Sequence, residues 1–358
     1  MMVHNRRYDI DWVRVIAIGL LVIYHTAIGF QPWGMMIGFI TTKEPWVALW
    51  TPMAMLNVWR IPLLFFVSGM GVYLALQNRT WKQLLAERAT RIFVPFVFGM
   101  FCIIPLHIYI WQYYYGMPIS YVADPGHLWF LGNIFVYVLI FIPVFYYLKK
   151  NEDGKLVRIL KKVLSKPIGL LPVLALFVAE VLIVNPDIYE LYVMTSHGFI
   201  LGLIAFFSGF CFMLGGEAFW KMIGTWRWFF IAVGFALFIL RVVFPVGTPV
   251  YLIPVESISW ILSVLAIGHR YLNKSSKLLQ YLSKAAYPVY IVHMIFLYLG
   301  SMLIFPLNVP VEWQFVFTLL FTLTGSLGMY EIIRRINFLR PLFGLKYEPK
   351  VVPGLKPA

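Results

Sequence analysis

Ten runs of mostly apolar residues dominate this chain, at about 12–30, 53–76, 92–113, 127–148, 167–184, 197–215, 228–244, 252–268, 286–304 and 313–333. A hydrocarbon core of about 30 Å, crossed at 1.5 Å per residue, asks for about 20 such residues in helical form. A helix also pairs its own backbone polar groups inside lipid, which an open strand cannot do. The chain therefore reads as an all-α polytopic membrane protein with about ten transmembrane helices. Composition agrees: 61% of the 358 residues are hydrophobic and only 12% are charged, against about 25% charged in a soluble domain. The first run is too long for a cleaved signal and is followed by no small-residue cleavage pattern.

The net charge of +14 speaks of topology. Of the 29 lysines and arginines, all except Lys43, Arg60 and Arg241 fall in the N-terminal segment or in alternate connections, at 79–91, 149–166, 221–227, 270–284 and from 334 onward. The positive-inside bias puts those segments and both termini in the cytoplasm. No basic soluble face remains for nucleic acid. The 149–166 segment reads as a basic surface helix, and Pro143, Pro172, Pro254 and Pro288 as kinks that leave their helices unbroken. A single transmembrane domain is expected over 1–340, followed by a cytoplasmic tail at 341–358. Cys102 and Cys211 lie within apolar runs and read as small buried hydrophobes. No metal-ligand spacing and no nucleotide-binding glycine pattern occurs, so neither a metal nor a tightly bound cofactor is expected.

Ionisable groups inside spans cost at least about 2.5 kcal/mol each on insertion scales, so they point to function. Arg14 and His25 lie eleven residues apart, within about 20° of three full turns, and so share one face of the first helix with Asp11. Their separation along the axis is about 16 Å, a polar stripe from the basic surface toward the bilayer middle. The competing structural reading has Arg14 snorkelling to headgroups and His25 bonded to a nearby carbonyl. Asn57 and Arg60 share a face of the second span, Arg60 either at the interface or against an anionic or sugar ligand. Ser68-Gly69 reads as a small pair for close helix packing. Arg88-Ala-Thr-Arg91 sets two guanidiniums one turn apart, a fork suited to phosphate or an ordinary basic anchor. His127-Leu-Trp129 opens the fourth span, where a belt aromatic is ordinary. Glu256 and His293 are acid–base candidates or interhelical hydrogen-bonding groups. His107, Glu180, His197 and His269 read as structural.

Taken together, Asp11-Trp-Val-Arg14 with His25, Phe65-Phe-Val-Ser68-Gly69, Arg88-x-x-Arg91 and Tyr287-Pro-Val-Tyr-Ile-Val-His293 resemble, in order, motifs of the acyltransferase 3 family of bacterial integral-membrane acyltransferases. Within it, His127-Leu-Trp-Phe-Leu, Glu256-Ser257, Gly268-His269-Arg270 and Tyr330-Glu331 resemble the glucan biosynthesis protein C group, associated with succinylation of osmoregulated periplasmic glucans. The resemblance implies a cytoplasmic acyl-CoA donor such as succinyl-CoA or acetyl-CoA, a glycan acceptor at the outer face of the bacterial inner membrane, and essential roles for Arg14, His25, Arg88 and Arg91. On that footing His25, Glu256 and His293 are the catalytic candidates. Arg14, Arg60, Ser68, Arg88, Arg91, His127 and Trp129 are the substrate-binding candidates. O-acetylation of another surface or lipid-linked saccharide is the alternative enzyme reading. A secondary transporter or acyl exporter, whose buried charges line a path without bond making, is the rival of another class.

Overall fold

The computed structural model describes residues 6–244 and 247–348. Among these residues no strand occurs, and ten helices are long and apolar enough to cross a membrane. They are α1 (Tyr8–Ile28), α2 (Val47–Leu76), α3 (Trp81–Tyr114), α4 (Gly126–Lys150), α5 (Pro167–Val184), α6 (Ser196–Leu214), α7 (Gly216–Val243), α8 (Leu252–Tyr271), α9 (Lys277–Ile304) and α10 (Val311–Ile333). Each expected span has its helix, but several helices begin early: α3 at Trp81 rather than 92, α7 at Gly216 rather than 228, and α9 at Lys277 rather than 286. Apolar runs mark only the part of a helix that lies in hydrocarbon. The hydrogen-bonded ladder continues into polar sequence wherever its side chains are solvated.

Starts and stops follow local chemistry. Thr80 caps the first turn of α3 in a reciprocal capping box with Gln83, while Thr195 and Ser276 cap α6 and α9. Pro143 and Pro288 sit inside continuous helices, and Pro172 stands in the first α-helical turn of α5, where its missing N–H costs little. The basic connection after α4 forms a short helix, Lys155–Leu164, whose Val157 and Leu164 are buried.

Most of α2, α6, α8 and α9 is buried within the bundle, whereas α5, α7 and α10 turn most of their surface outward. The α1 helix packs against α2, α8, α9 and α10, and α2 packs most closely on α6. Glycines set that last contact. A Cβ on Gly69 would lie 1.9 Å from the Phe206 carbonyl oxygen, and one on Gly209 would lie 2.0 Å from that of Phe66. Two backbones touch here because neither helix carries a side chain at the crossing.

The connection from α1 to α2 folds back into the bundle, with Phe30, Gln31, Phe39 and Ile40 buried. Residues 341–348, set apart by the sequence as part of a tail, also pack on the bundle. Phe343 is buried with its ring edge-on to Phe98, and the Gly344 carbonyl accepts from Arg91 Nε at 3.3 Å. Residues 349–358 of that tail, and Lys350 and Lys356 of the basic tally, lie outside the described residues.

Candidate active site

A cavity of about 1140 Å³ runs along α1 and is walled by α1, α2, α3, α4 and α9. The α1 wall is Arg14, Ile18, Leu21 and His25, one helical face, as the eleven-residue spacing requires. The α2 wall is Asn57, Arg60, Ile61, Leu64, Ser68 and Gly71. The two helices run antiparallel in a register fixed at two points. A Cβ on Gly71 would meet Arg14 Nη2 at 3.6 Å, and the Arg60 guanidinium lies 4.3 Å from the centroid of the Tyr24 ring. Arg14 is therefore level with Gly71, and His25 with Arg60, about 16 Å further along the axis.

The two ends of the cavity differ in charge. At the end where α1 begins, Arg6, Arg14, Arg79, Arg88 and Arg91 line it, with Asp11 and Glu87 as the acids among them. Arg6 and Arg14 share Asp11, at 2.8 and 3.5 Å, and Arg79 and Arg91 share Glu87, at 3.3 and 3.0 Å. Arg88 donates to the Gly71 carbonyl at 3.2 Å, and its buried Nε has no partner. The mouth thus keeps net positive charge after its internal pairs are made. A five-residue π-helical stretch, Ala89–Phe93, follows Arg88, a local widening common at functional sites.

Deeper in, four histidines from four helices converge. His25 Nδ1 lies 2.8 Å from His293 Nε2, with the two rings nearly parallel at 10°. His293 Nδ1 lies 2.7 Å from the Tyr290 carbonyl oxygen. That carbonyl can only accept, which assigns the protons of the neutral pair. His293 carries its proton on Nδ1 and offers a lone pair at Nε2. His25 donates Nδ1–H to that lone pair and keeps its own lone pair at Nε2. His25 lines the cavity, while His293 is fully buried behind it.

His127 stands edge-on to His293, with ring centroids 5.2 Å apart, and His107 stands edge-on to His127 at 5.5 Å. His127 donates from Nε2 to the Ile291 carbonyl at 3.1 Å, while Tyr290 donates its hydroxyl to the His127 carbonyl. These two bonds clamp the start of α4 onto α9 beside His293. Consequently neither His127 nor Trp129 belongs to a lipid-facing belt: both line the cavity, and the buried Trp129 ring packs edge-on to Phe65.

The other sequence candidates separate clearly. Arg60 is fully buried rather than interfacial, and none of its three guanidinium nitrogens has a hydrogen-bond partner. Ser68 lines the cavity and donates to the Leu64 carbonyl at 2.8 Å, an ordinary bond within its own helix. Glu256 does not join the group: Arg241 holds its two carboxylate oxygens at 2.8 and 3.0 Å, and it is not among the cavity walls. His25 sits three residues before the end of α1, so the stripe runs almost to the far end of that helix.

His107, which reads as structural from the sequence, and Tyr24, which the sequence does not single out, are both cavity residues. Tyr24 adjoins His25 and offers a signal by position alone; His107 offers none, because its partners come from distant helices. The remaining residues read as structural are so placed. His197 bonds Glu180 at 2.9 Å and the Tyr189 carbonyl at 2.9 Å, and His269 bonds Asp9 at 3.0 Å. Among the described residues no cluster of histidine, cysteine and acidic groups could hold a metal.

A family model described as an acyltransferase domain, that of the acyltransferase 3 family, matches residues 7–331, a span that takes in every residue of the cavity except Arg6 and Gly344. No curated protein and no solved structure matches the chain.

Proposed function

The chain belongs to the acyltransferase 3 family, and from that premise we propose that it moves a small acyl group, with succinyl favoured over acetyl, from cytoplasmic acyl-CoA to a hydroxyl of a glycan outside the bacterial inner membrane. One observation carries the reading: the relay from Tyr290 O through His293 to His25 leaves a lone pair at His25 Nε2, in a cavity whose other end is ringed with arginines.

Phosphates of the donor fit the mouth. Guanidinium groups bind phosphate through paired, charge-assisted hydrogen bonds, and Arg88 and Arg91 stand there with Arg14 one step inside. An extended pantetheine arm then runs along the α1 stripe and carries the thioester toward His25. The acceptor comes from the far end, where Gly38, Asp124 and Glu190 line the cavity.

In the transfer step the acceptor hydroxyl gives its proton to His25 Nε2 as its oxygen bonds to the thioester carbonyl carbon. The carbonyl electron pair moves to oxygen and returns as the carbon–sulfur bond breaks. His25 then gives the proton to the departing thiolate, so the products are an ester and the CoA thiol. His293 accepts from His25 Nδ1 throughout and spreads the positive charge of the imidazolium. His127 and Arg60 face the developing charge or the substrates. The glucan acceptor rests on the shorter motifs at His127, Glu256, Gly268 and Tyr330; another surface or lipid-linked saccharide is the alternative.

The test is transfer by purified protein in liposomes. Labelled succinyl-CoA or acetyl-CoA should yield free CoA thiol and a labelled glucan. Release of thiol with label on another saccharide would change the acceptor; no thiol release from either donor would overturn the reading. Topology is checked separately with single cysteines and an impermeant thiol reagent. A cysteine at 149–166 should stay unlabelled in intact cells, and strong labelling there would reverse the orientation.

A further inference from the structure

Among the described residues, Arg60 is the buried arginine whose guanidinium has no hydrogen-bond partner on any of its three nitrogens. It has no exposed surface, its Nε, Nη1 and Nη2 are all without partners, and the guanidinium lies over the face of Tyr24 at 4.3 Å. A buried, unpaired ion costs several kcal/mol even after relaxation, far more than one cation–π contact returns. Tyr192, a neighbour from the connection between α5 and α6, donates its hydroxyl away to the α2 carbonyl of Val58 at 3.1 Å. No carboxylate of the described residues bonds the guanidinium. Arg241, which like Arg60 sits inside a span away from the basic end, has carboxylate partners: a two-pronged bond to Glu256 and a third bond to Glu190 at 3.1 Å. The fold can therefore supply a partly buried arginine with a carboxylate, and at the fully buried Arg60 it does not.

Position says what the missing anion belongs to. Arg60 is level with His25 and shares the cavity wall with it, and the Tyr24 ring bridges the two, 5.9 Å from the His25 ring centroid. The donor's phosphates are held about 16 Å away at the arginine mouth, so they do not reach. The group beside His25 is the acyl chain itself.

We propose that Arg60 is the specificity-determining residue for the acyl group, binding the terminal carboxylate of a dicarboxylic acyl chain while its thioester carbonyl faces His25. Tyr24, which lines the cavity and covers the guanidinium, gives way as the carboxylate enters. The inference rests on the acyl-CoA reading above. It also supplies an electrostatic reason for coupling recognition to chemistry. A bare guanidinium beside His25 opposes the imidazolium formed during transfer, and a carboxylate on Arg60 cancels that opposition. An acetyl group brings no such charge.

The experiment compares succinyl-CoA with butyryl-CoA, which has the same chain length and a methyl in place of the carboxylate. Wild-type protein should favour succinyl-CoA in kcat/KM by at least about 10-fold, the range of a charged hydrogen bond. Arg60→Gln should bring that ratio close to one, chiefly by slowing the succinyl donor. Arg60→Lys keeps the charge but loses the planar fork, so it should keep part of the preference; it serves the same purpose should the glutamine variant not fold. A wild-type ratio near one, or a ratio unchanged in the variants, overturns the assignment. Equal loss on both donors also overturns it and places Arg60 on the thioester carbonyl or the acceptor. If no acyl-CoA is turned over at all, it is the broader functional reading that fails.

Discussion

Arg60 and Arg241 are the same residue in the same kind of place, inside a membrane-crossing helix away from the basic end, yet the fold treats them oppositely. Arg241 is satisfied on every side: two oxygens of Glu256, one of Glu190 and the carbonyl of Ala54 at 3.0 Å. Through these bonds α7 is tied to α8, to the 185–195 connection and to α2. Arg60 is tied to nothing but an aromatic face. The difference separates a strut from a ligand group. An intramembrane charge marks function when the protein leaves it without a partner and sets it beside a cavity.

The sharpest break in the comparison is thermodynamic. Glu256→Ala takes two bonds from Arg241 and leaves it Glu190 and the Ala54 carbonyl; fully breaking a buried ion pair costs about 3–5 kcal/mol, so this partial loss should lower the thermal stability of the protein in detergent by part of that amount. Replacing both, as Arg241→Met with Glu256→Leu, should recover most of that loss. Arg60→Met strands no partner and should leave the unfolding midpoint unchanged or raise it. Equal destabilisation by Glu256→Ala and Arg60→Met would erase the distinction.

At the basic mouth the contrast is between charge and geometry. Arg88→Lys and Arg91→Lys keep the net charge but lose the guanidinium fork. Each should weaken CoA binding by about 1.5–3 kcal/mol if its phosphate contact is charge-assisted, with protein yield unchanged. Calorimetric titration with CoA reads this, and unaltered affinity in both variants would make the pair a plain anchor.

A smaller effect is expected behind His25. His293→Gln keeps the bulk but removes the ring that sets the His25 tautomer, and orienting partners of this kind are typically worth about 10- to 100-fold. The loss should fall on kcat with the donor KM retained; a change in KM alone would show His293 shaping the pocket rather than positioning the base.

Much of this was legible in the sequence, for identifiable reasons. Ten helices follow from apolar length alone, and the cavity face of α1 follows from helical periodicity, because Arg14 and His25 belong to one element. Residues brought together from different helices were not legible as a group. His293 and Glu256 looked alike, each an ionisable group inside a span. Only packing shows that His293 backs His25 while Glu256 meets an arginine that sequence reading left without a role. Arg60 was ambiguous for the same reason: whether a charge has a partner is a property of the neighbouring helices, not of its own. His107 read as structural because nothing in its own run announces His127 or Tyr298 beside it.

The central claim is that His25 does chemistry rather than packing. The direct measurement is acyl transfer by His25→Ala in liposomes, made alongside CoA binding by the same preparation. Binding should stay near that of the wild type and transfer should fall by about 10²–10⁴-fold, the usual worth of a positioned general base. Retained binding with turnover within a few-fold of wild type would contradict it and leave the histidine cluster a structural feature of the bundle.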